Sequence, residues 1–317
     1  MVTAMRAARL HEIGGTLQID EIDDPVPADG EVVVDIAYAS VNPLDIWITR
    51  GAPGVAATNL PWNPGTEASG HLDGRAVLVR GAGLGVMRHG LYRERAAVPQ
   101  AAVHELPEGL DLAQAAGLPV VGVTAWHALH TCAQVTPDDR VLVIGASGGV
   151  GSIAVQLAAA AGATVWGQTG NAANVAAIAE DGAAEVLVTD ADGLTDAASA
   201  YAPTVVLDPL GGDFPDQAIA AMADRGRLVV YGASADPSVT INWRQMYRKA
   251  INILGYSGLI GTPEGEAQVF DELFAAMQAG KLRVRLAGVL PLSQAAEAHA
   301  MILERRAGGK LVLDCSA

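Results

Sequence analysis

Residues 141–167 read VLVIGASGGVGSIAVQLAAAAGATVWG, and this stretch decides the fold. Its first part, 141–144, is a continuous apolar run, which is typical of a strand buried on both faces of a sheet. Its second part, 149–162, is an alanine-rich amphipathic segment that ends in glycine, and this pattern predicts a helix with a glycine cap. The stretch therefore predicts a strand, a tight turn and a helix in direct succession.

Three glycines, Gly145, Gly148 and Gly151, occupy the turn with the spacing G-x-x-G-x-x-G. This spacing is a variant of the dinucleotide-binding fingerprint, in which missing side chains let backbone N–H groups and the positive end of a helix approach a pyrophosphate. The alternative interpretation is a tight turn that only packs the helix on the strand. The sequence around the turn must decide between the two.

The composition is that of an ordinary soluble globular protein, since 50% of the 317 residues are hydrophobic and 17% are charged. The formal net charge of −15 argues against a nucleic-acid partner, because binding a phosphate backbone needs concentrated Lys and Arg. No apolar stretch approaches the ~20 residues that span a bilayer, and the stretch MVTAMRAARLHEIGG lacks the apolar core of a signal peptide. We therefore expect a cytoplasmic protein with neither a nucleic-acid nor a membrane partner.

Residues 114–257 alternate short apolar strands with segments of helical length. Six strands separated by such connections, with the glycine turn after the first, predict a doubly wound parallel Rossmann sheet rather than a β-sandwich. The six predicted strands are VLVIG at 141–145, ATVWG at 163–167, EVLV at 185–188, TVVLD at 204–208, RLVVYG at 227–232 and INILG at 251–255.

The two flanks of this region belong together in the predicted architecture. Residues 1–113 are rich in Pro, Gly and alternating strands, which favours an antiparallel, barrel-like domain. Residues 258–317 contain two helical segments and the closing strand KLVLD at 310–314. We expect this second flank to complete the first domain, with the dinucleotide-binding domain 114–257 inserted into it and a cleft at the junction.

Four stretches follow one another in order: VNPLD at 41–45, PGTEASG at 64–70, TAWHAL at 124–129 and the glycine turn at 145–151. Further along lie DPLGG at 208–212, YGAS at 231–234 and GGKLVL at 308–313. Together these motifs resemble the medium-chain dehydrogenase/reductase superfamily, and within it the zinc-free branch of quinone oxidoreductases and enoyl reductases. The resemblance covers nearly the whole chain, and it implies a GroES-like catalytic domain around the Rossmann domain.

The resemblance also implies that the protein binds no metal. Zinc-dependent alcohol dehydrogenases of the superfamily place a ligand cysteine near the position of Asn42 and a ligand histidine at that of Thr66. An amide and a hydroxyl do not replace thiolate and imidazole around tetrahedral zinc. The chain has only two cysteines, so the structural zinc loop is missing as well. The alternative, a metal bound by His127 and His130 with Cys132 nearby, lacks a complete ligand set, and helix packing explains these residues.

By resemblance, the protein transfers a hydride from a reduced nicotinamide cofactor to a quinone or an α,β-unsaturated carbonyl, a small-molecule substrate. Hydrogen-bond donors then carry the charge that develops on the carbonyl oxygen. The resemblance places Asn42 and Thr124 near the nicotinamide and the substrate. It also implies that Asp45 organises the loop that bears Asn42. Trp47 and Thr66 are candidates for the substrate pocket. The alternatives are a simple turn at Asn42, which precedes proline, and a core position for Trp47.

The chain departs from its relatives at two places. Many relatives carry a tyrosine just after N-P-x-D, where this chain has Ile46 and Trp47, so no tyrosine proton donor is expected there. The shortened segment 77–92 loosely resembles acryloyl-CoA reductases, and the arginines on and after it either meet an anionic acyl carrier or form a solvated surface. One alternative function is an enoyl-thioester reductase of a biosynthetic pathway. The other, which some relatives of this branch imply, is a non-catalytic nucleotide sensor or structural protein that retains the cofactor fold. The arginines in question are Arg80, Arg88 and Arg93.

The predicted cofactor is NADPH, with NADH as the alternative. After the second strand of a Rossmann domain, an acidic residue selects NAD and a basic residue selects NADP. This chain has neither, and the neutral Asn171 and Asn174 are equally explained as surface positions of a helix. The residues expected to bind the cofactor are Gly145, Ser147, Gly148, Gly149, Val150, Thr169, Asn171, Asn174, Asp208, Leu210, Gly232, Ala233, Gly309 and Lys310.

The apolar segment INILGYSGLI at 251–260 suits a sheet edge that needs covering. Members of this branch commonly join their nucleotide domains edge to edge, so the resemblance implies a homodimer. The alternative is an edge covered by the chain itself.

Overall fold

The computed structural model describes residues 4–52, 59–260, 263–304 and 306–317. It divides into two compact units: unit 1 comprises Met1–Val120 and Gly261–Ala317, and unit 2 comprises Val121–Ile260. Unit 2 is thus inserted into the sequence of unit 1.

Strands and helices alternate along most of the chain. The strands are β1 (Ala4–Arg9), β2 (Gln18–Asp23), β3 (Glu31–Val41), β4 (Glu67–Leu72), β5 (Arg75–Arg80), β6 (Arg95–Pro99), β7 (Val103–Glu105), β8 (Arg140–Val143), β9 (Thr164–Thr169), β10 (Glu185–Val188), β11 (Val205–Asp208), β12 (Arg227–Val230), β13 (Asn252–Gly255), β14 (Leu286–Pro291) and β15 (Lys310–Asp314). The α-helices are α1 (Pro43–Thr49), α2 (Leu112–Gly117), α3 (Pro119–Trp126), α4 (Gly149–Ala160), α5 (Val175–Glu180), α6 (Leu194–Ala198), α7 (Phe214–Ala221), α8 (Trp243–Arg248), α9 (Pro263–Gln278) and α10 (Ala295–Leu303), and a π-helical segment, His127–Cys132, follows α3 directly.

The six strands of unit 2 form one parallel sheet in the order β10-β9-β8-β11-β12-β13. The chain starts at β8 in the middle, moves outward to β10, and then crosses to β11 on the other side. This is the strand order of dinucleotide-binding folds, whose ligands lie at the carboxyl ends of the strands where the order reverses. Leu142 of β8 and Val206 of β11 are fully buried, which explains the continuous apolar runs. The predicted doubly wound sheet is confirmed.

Unit 1 is built on a mostly antiparallel sheet of seven strands. Six of them run in the order β14-β15-β3-β4-β5-β7, and β6 pairs with the other part of β3. The C-terminal strand β15 pairs antiparallel with β3, from Leu311 opposite Val41 to Asp314 opposite Tyr38. The second flank thus contributes strand β15 to the sheet of unit 1. The core of this unit includes the fully buried or nearly buried side chains of Leu10, Val34, Trp62, Val79 and Leu313.

The first boundary between the units lies at Val120 rather than at 113. Helix α2 accounts for the difference, because Ala113 and Ala116 pack against Val312 of β15. The second boundary lies at Ile260, close to the expected position of 257.

In the part of the chain that the structure describes, no helix is both long and apolar enough to cross a membrane.

Candidate active site

Asn42 lies where strand β3 ends and helix α1 begins. Its backbone is extended, with φ −123° and ψ 152°, because the following residue, Pro43, disfavours a helical conformation before it. Asp45 stabilises this helix start, since its Oδ2 accepts a hydrogen bond of 2.8 Å from the Asn42 N–H. The turn interpretation of Asn-Pro is thus correct for the backbone, and it leaves the Asn42 side chain free for another role.

The side chain of Asn42 is 2% exposed and is held by two charged residues. Its Oδ1 accepts a hydrogen bond of 2.7 Å from Lys310 Nζ, and its Nδ2 donates one of 2.8 Å to Glu67 Oε1. Lys310 Nζ also contacts Glu67 Oε1 at 3.0 Å, so the three side chains form a closed triangle. Thr66 lies beside it, with its Oγ1 3.5 Å from Asn42 Nδ2.

Glu67 is the first residue of β4 and is fully buried, although the sequence did not single it out. Its second oxygen, Oε2, accepts a hydrogen bond of 2.5 Å from the N–H of Val120. Burial on its own would raise the pKa of Glu67, but attraction to Lys310 and Arg80, together with these hydrogen bonds, brings the pKa below its usual range. Glu67 is therefore an ionised carboxylate at the centre of the cluster.

Asp45 and Tyr92 form a second buried contact at the first turn of α1. The hydroxyl of Tyr92 donates a hydrogen bond of 3.1 Å to Asp45 Oδ2, and neither side chain is exposed. Burial raises the pKa of Asp45 to about 7. Gly65 makes room for Tyr92, because a Cβ at this position, which has φ +106°, would lie 2.5 Å from the Tyr92 ring. A tyrosine thus reaches the N-P-x-D motif from a distant part of the sequence.

The two residues predicted for the substrate pocket differ in exposure. Thr66 is 6% exposed and belongs to the cluster around Asn42. Trp47, on α1, is 41% exposed, so it is not a core residue of unit 1. Its role as a pocket wall stays a prediction.

Thr124 is half-buried in helix α3 of unit 2. Downstream of it, the π-helical segment carries His127 and His130. The ring of His127 stacks on that of Tyr256, with 5.2 Å between the centroids, and Trp126 packs against both histidines. Within the described ranges, no group of three or more His, Cys, Asp and Glu residues is arranged to hold a metal ion. Aromatic packing therefore accounts for these histidines.

The glycine turn in unit 2 has two parts with different constraints. Gly145 has φ +64° and its N–H donates a hydrogen bond of 3.0 Å to the side chain of Gln168. Gly151 is required by packing, because a Cβ there would overlap the carbonyl oxygen of Gly145. Gly148, by contrast, is exposed and has φ −74°, and a Cβ there would meet only the Gly145 oxygen at 3.3 Å. The chain itself has little need of a glycine at this position.

The surroundings of Gly148 fit a dinucleotide. It precedes α4, a helix of 12 residues, and no side chain of the described residues caps this helix start. The first N–H groups of a helix lack intrahelical partners and attract anions. Ser147, Gly149 and Val150 are half-buried around it. An exposed glycine in front of such N–H groups is what the dinucleotide-binding fingerprint requires, and the binding of a pyrophosphate here stays a prediction.

The segment after β9 contains neutral polar groups that bond to one another. The hydroxyl of Thr169 accepts hydrogen bonds from the Asn171 N–H at 3.2 Å and from Asn174 Nδ2 at 3.4 Å. The Asn171 side chain accepts the N–H of Ala173 at 2.9 Å, so it begins a short helix. Local structure thus explains Asn171, and contact of any of the three with a cofactor stays a prediction.

Four further predicted cofactor contacts lie in two loops at the carboxyl edge of the sheet. Asp208 accepts the N–H of Leu210 at 2.7 Å, and burial raises its pKa to about 6. A Cβ at Gly232 would lie 2.8 Å from the carbonyl oxygen of Pro209, so this glycine lets the two loops approach. These residues shape the loops. Their contact with a cofactor, like that of Ala233, stays a prediction.

The two remaining predicted cofactor residues lie in unit 1. A Cβ at Gly309 would lie 2.6 Å from the carbonyl oxygen of Arg285, so close packing requires this glycine. Lys310 is 5% exposed and pairs with Glu67, as described above.

The proposal of an arginine surface on segment 77–92 is wrong for Arg80. This side chain is 9% exposed and forms a two-pronged ion pair with Glu266 of α9, at 2.8 and 3.1 Å. Arg93 is half-buried, and its burial lowers the pKa of its guanidinium to about 10. Only Arg88 is exposed, and it pairs with Glu31 at 2.9 Å. Arg80 is the last residue of the buried strand β5. An arginine in such a place can be buried when a distant helix supplies an ion-pair partner, as α9 does with Glu266.

Known proteins resemble this chain over almost its whole length. A family described as zinc-binding dehydrogenase matches residues 182–313. Quinone oxidoreductase from Homo sapiens is 30% identical, with 98% of this chain and 97% of the human protein covered. Quinone oxidoreductase 1 from Escherichia coli (strain K12) is 27% identical, with coverage of 96% and 97%.

A solved structure extends the likeness to three dimensions. The quinone oxidoreductase from Thermus thermophilus, whose structures include a complex with NADPH, is 29% identical and superimposes with a TM-score of 0.87. The match covers 98% of this chain and 100% of the Thermus thermophilus chain. It confirms the predicted fold class, a Rossmann domain with a GroES-like, mostly antiparallel domain. Sequence identity, shared fold and the motifs around Asn42 and Gly148 together assign this chain to the quinone oxidoreductase branch of the medium-chain dehydrogenase/reductase superfamily.

Proposed function

We propose that the protein is a zinc-independent, NAD(P)H-dependent reductase that transfers a hydride to a quinone or an α,β-unsaturated carbonyl. The observation that carries this proposal is the buried triangle of Asn42, Glu67 and Lys310. It presents an amide N–H, rather than a metal ion, to an oxygen on which negative charge develops. The family supports the reaction class, and the exposed Gly148 at the start of α4 supports a dinucleotide cofactor.

Two groups of residues divide the work of this reaction. In unit 2, the glycine turn and the first N–H groups of α4 bind the pyrophosphate. A reduced nicotinamide bound there supplies the hydride. In unit 1, Asn42 donates a hydrogen bond to the carbonyl oxygen of the acceptor and stabilises its developing charge. Thr124 contributes a hydroxyl as a further donor, and Asp45 keeps the backbone of Asn42 in place.

The electrostatics of the triangle argue against zinc at this position. Lys310 already places a positive charge 2.7 Å from Asn42 and 3.0 Å from Glu67, so a divalent cation would be repelled by the ammonium group. Asn42 and Thr66 also stand where a thiolate and an imidazole are needed. The proposed chemistry therefore relies on hydrogen bonds and on a proton from water.

We propose NADPH as the preferred cofactor, with weak discrimination against NADH. Thr169, Asn171 and Asn174 offer neutral donors, and no acid among them repels a 2′-phosphate. The sequence has no Lys or Arg from 141 to 224, so this part of the Rossmann domain supplies no cation for that phosphate either. Without a bidentate arginine, the two cofactors should bind with similar affinity.

We further propose a homodimer joined at strand β13 of unit 2. In the described sheet, β13 pairs with β12 alone, so its other edge presents unpaired backbone groups. Apolar side chains follow along this edge: Ile253 is 37% exposed, Leu259 53% and Ile260 85%. A second copy of the same strand covers such an edge by two-fold symmetry.

We also propose that the protein is located in the cytoplasm. Both cysteines, Cys132 and Cys315, are free thiols, which fits a reducing compartment.

Oxidation of NADPH and NADH with a panel of acceptors tests the proposed function. The panel contains simple quinones, enones and enoyl thioesters, each assayed with and without protein after chelation of metals. Turnover with quinones or enones is expected. Turnover restricted to enoyl thioesters would replace the proposed substrate class, and tight NADPH binding without turnover of any acceptor would indicate a sensor.

A further inference from the structure

Three side chains that are far apart in the sequence hold one another inside unit 1. Lys310 Nζ donates to Asn42 Oδ1 at 2.7 Å and to Glu67 Oε1 at 3.0 Å, and Asn42 Nδ2 donates to the same Glu67 oxygen at 2.8 Å. None of the three residues is more than 5% exposed. These contacts are therefore shielded from water, where hydrogen bonds to charged groups are strong.

The two charged partners decide which way the Asn42 amide faces. An ammonium group only donates hydrogen bonds, so Lys310 requires the oxygen Oδ1 opposite it. An ionised carboxylate only accepts them, so Glu67 requires the nitrogen Nδ2. Turning the amide by half a revolution would set donor against donor and acceptor against acceptor. A pair of neutral neighbours would not impose this orientation.

One N–H of Asn42 is only weakly engaged in this orientation. Glu67 Oε1 lies 2.8 Å from Asn42 Nδ2 and takes the first N–H, whereas Thr66 Oγ1 lies 3.5 Å from Nδ2, at the outer limit of a hydrogen bond. This weakly engaged N–H is the donor that the proposed reaction needs for the acceptor's oxygen.

We propose that Glu67 and Lys310 are positioning residues that hold the Asn42 amide with one N–H directed to the substrate's oxygen. The inference rests on the proposed function and adds two residues to it. It also gives Lys310 a role other than the cofactor binding that the sequence indicated.

Glu67 is itself fixed from two further sides. The N–H of Val120, in the first turn of α3, donates to its Oε2 at 2.5 Å, and Arg80 attracts it electrostatically. Arg80 in turn is held by its ion pair with Glu266. Because both oxygens are engaged, the carboxylate keeps its place when a substrate binds, and so does the amide that it holds.

A double-mutant cycle tests the inference through turnover. Lys310→Met removes the donor to Asn42 Oδ1, and we expect it to lower kcat about tenfold while KM stays within about twofold. In an Asn42→Ala background the same change should lower kcat no further, since there is no amide left to position. A loss of equal size in both backgrounds would overturn the inference. Lys281→Met, at an exposed lysine, is the matched control and should leave kcat unchanged.

A second variant covers the case in which Lys310→Met fails to fold because Glu67 is left unpaired. The double variant Lys310→Met with Glu67→Gln removes both charges together, so no buried charge stays without a partner. We expect it to fold and still to lose about tenfold in kcat, because neutral partners let the amide turn. Wild-type kcat in this variant would overturn the inference.

Nuclear magnetic resonance of the Asn42 side-chain amide gives a readout that is independent of turnover. Its pair of signals is assigned from their absence in Asn42→Ala. We expect slow exchange with solvent in the wild type and exchange at least tenfold faster in the double variant. Unchanged exchange would overturn the inference. If the wild type reduces no acceptor, the proposed function fails on its own, and this exchange rate still decides whether the two charges hold the amide.

Discussion

The hydroxyl of Tyr92 lies 3.1 Å from Asp45 Oδ2, and both side chains are excluded from solvent. Burial raises the pKa of Asp45 to about 7, against the restraining effect of the hydrogen bond from the Asn42 N–H. An aspartate in an unfolded chain titrates near 4. Between these two values the folded protein keeps a proton that the unfolded chain releases, so this carboxyl lowers the free energy of unfolding as the pH rises.

Replacing Asp45 by asparagine should remove this pH dependence. Both donors, the Asn42 N–H and the Tyr92 hydroxyl, bond to Oδ2, while none of the described residues bonds to Oδ1, so an amide fits the same place. We expect Asp45→Asn to be more stable than the wild type at pH 8, by up to about 4 kcal/mol, with the difference shrinking toward pH 4. Urea unfolding from pH 4 to 8 measures it. Asp138→Asn, at an exposed aspartate, is the control, and parallel curves for wild type and Asp45→Asn would refute the assignment.

Two glycines of the same turn separate cofactor binding from packing. Gly148→Val should leave the free energy of unfolding within about 0.5 kcal/mol, because the position is exposed, and should weaken NADPH binding at least about tenfold. Gly151→Ala should cost about 1–3 kcal/mol, because its new Cβ meets the Gly145 oxygen. Thermal unfolding and NADPH titration of both variants check this. Unchanged NADPH affinity in Gly148→Val would make the turn purely structural.

The purified protein should need no zinc. Lys310 supplies the positive charge next to Asn42 and Glu67, and the proposed reaction uses hydrogen bonds in place of a Lewis acid. Elemental analysis should find less than stoichiometric metal, and prolonged chelation should leave NADPH oxidation intact. Activity that disappears on chelation and returns with added zinc would contradict this.

Disrupting the β13 edge should produce a monomer. A lysine in place of Ile253 puts a charge on the edge strand that we propose joins the two copies. We expect Ile253→Lys to change the particle from a dimer to the 32.5 kDa monomer in light scattering. Val188→Lys lies on the opposite edge strand, β10, and should stay dimeric. A wild type that is monomeric at every concentration would rule out the dimer.

The sequence predicted the elements whose determinants are local. Apolar periodicity located the six strands of unit 2, and the glycine spacing located the turn after β8. The cluster around Asn42 was predicted only in part, because its partners come from distant segments: Glu67 is 25 residues away and Lys310 is 268. Local patterns do not report such pairings. A usable signal did exist, since Lys310 is one of only three lysines and opens an apolar strand. A charge in such a place indicates a buried partner.

Tyr92 illustrates the same limit. The sequence has Ile46 and Trp47 just after N-P-x-D, so no tyrosine proton donor was expected at that position, and the pattern gave no sign that Tyr92 reaches Asp45 from 47 residues downstream. The glycine at 65 that makes room for its ring is part of the PGTEASG motif. Its purpose became visible only with both segments in place.

The rate of acceptor-dependent NADPH oxidation in the wild type and in Asn42→Ala tests the central claim most directly. If Asn42 stabilises the charge on the acceptor's oxygen, its loss should lower kcat about ten- to a hundredfold, on the scale of ~1.4 kcal/mol per tenfold, while NADPH affinity is unchanged. Residual turnover should remain, because alignment by the bound cofactor and a proton from water do not depend on this amide. An Asn42→Ala variant as fast as the wild type, or a wild type that oxidises NADPH no faster with quinones and enones than without them, would contradict the account.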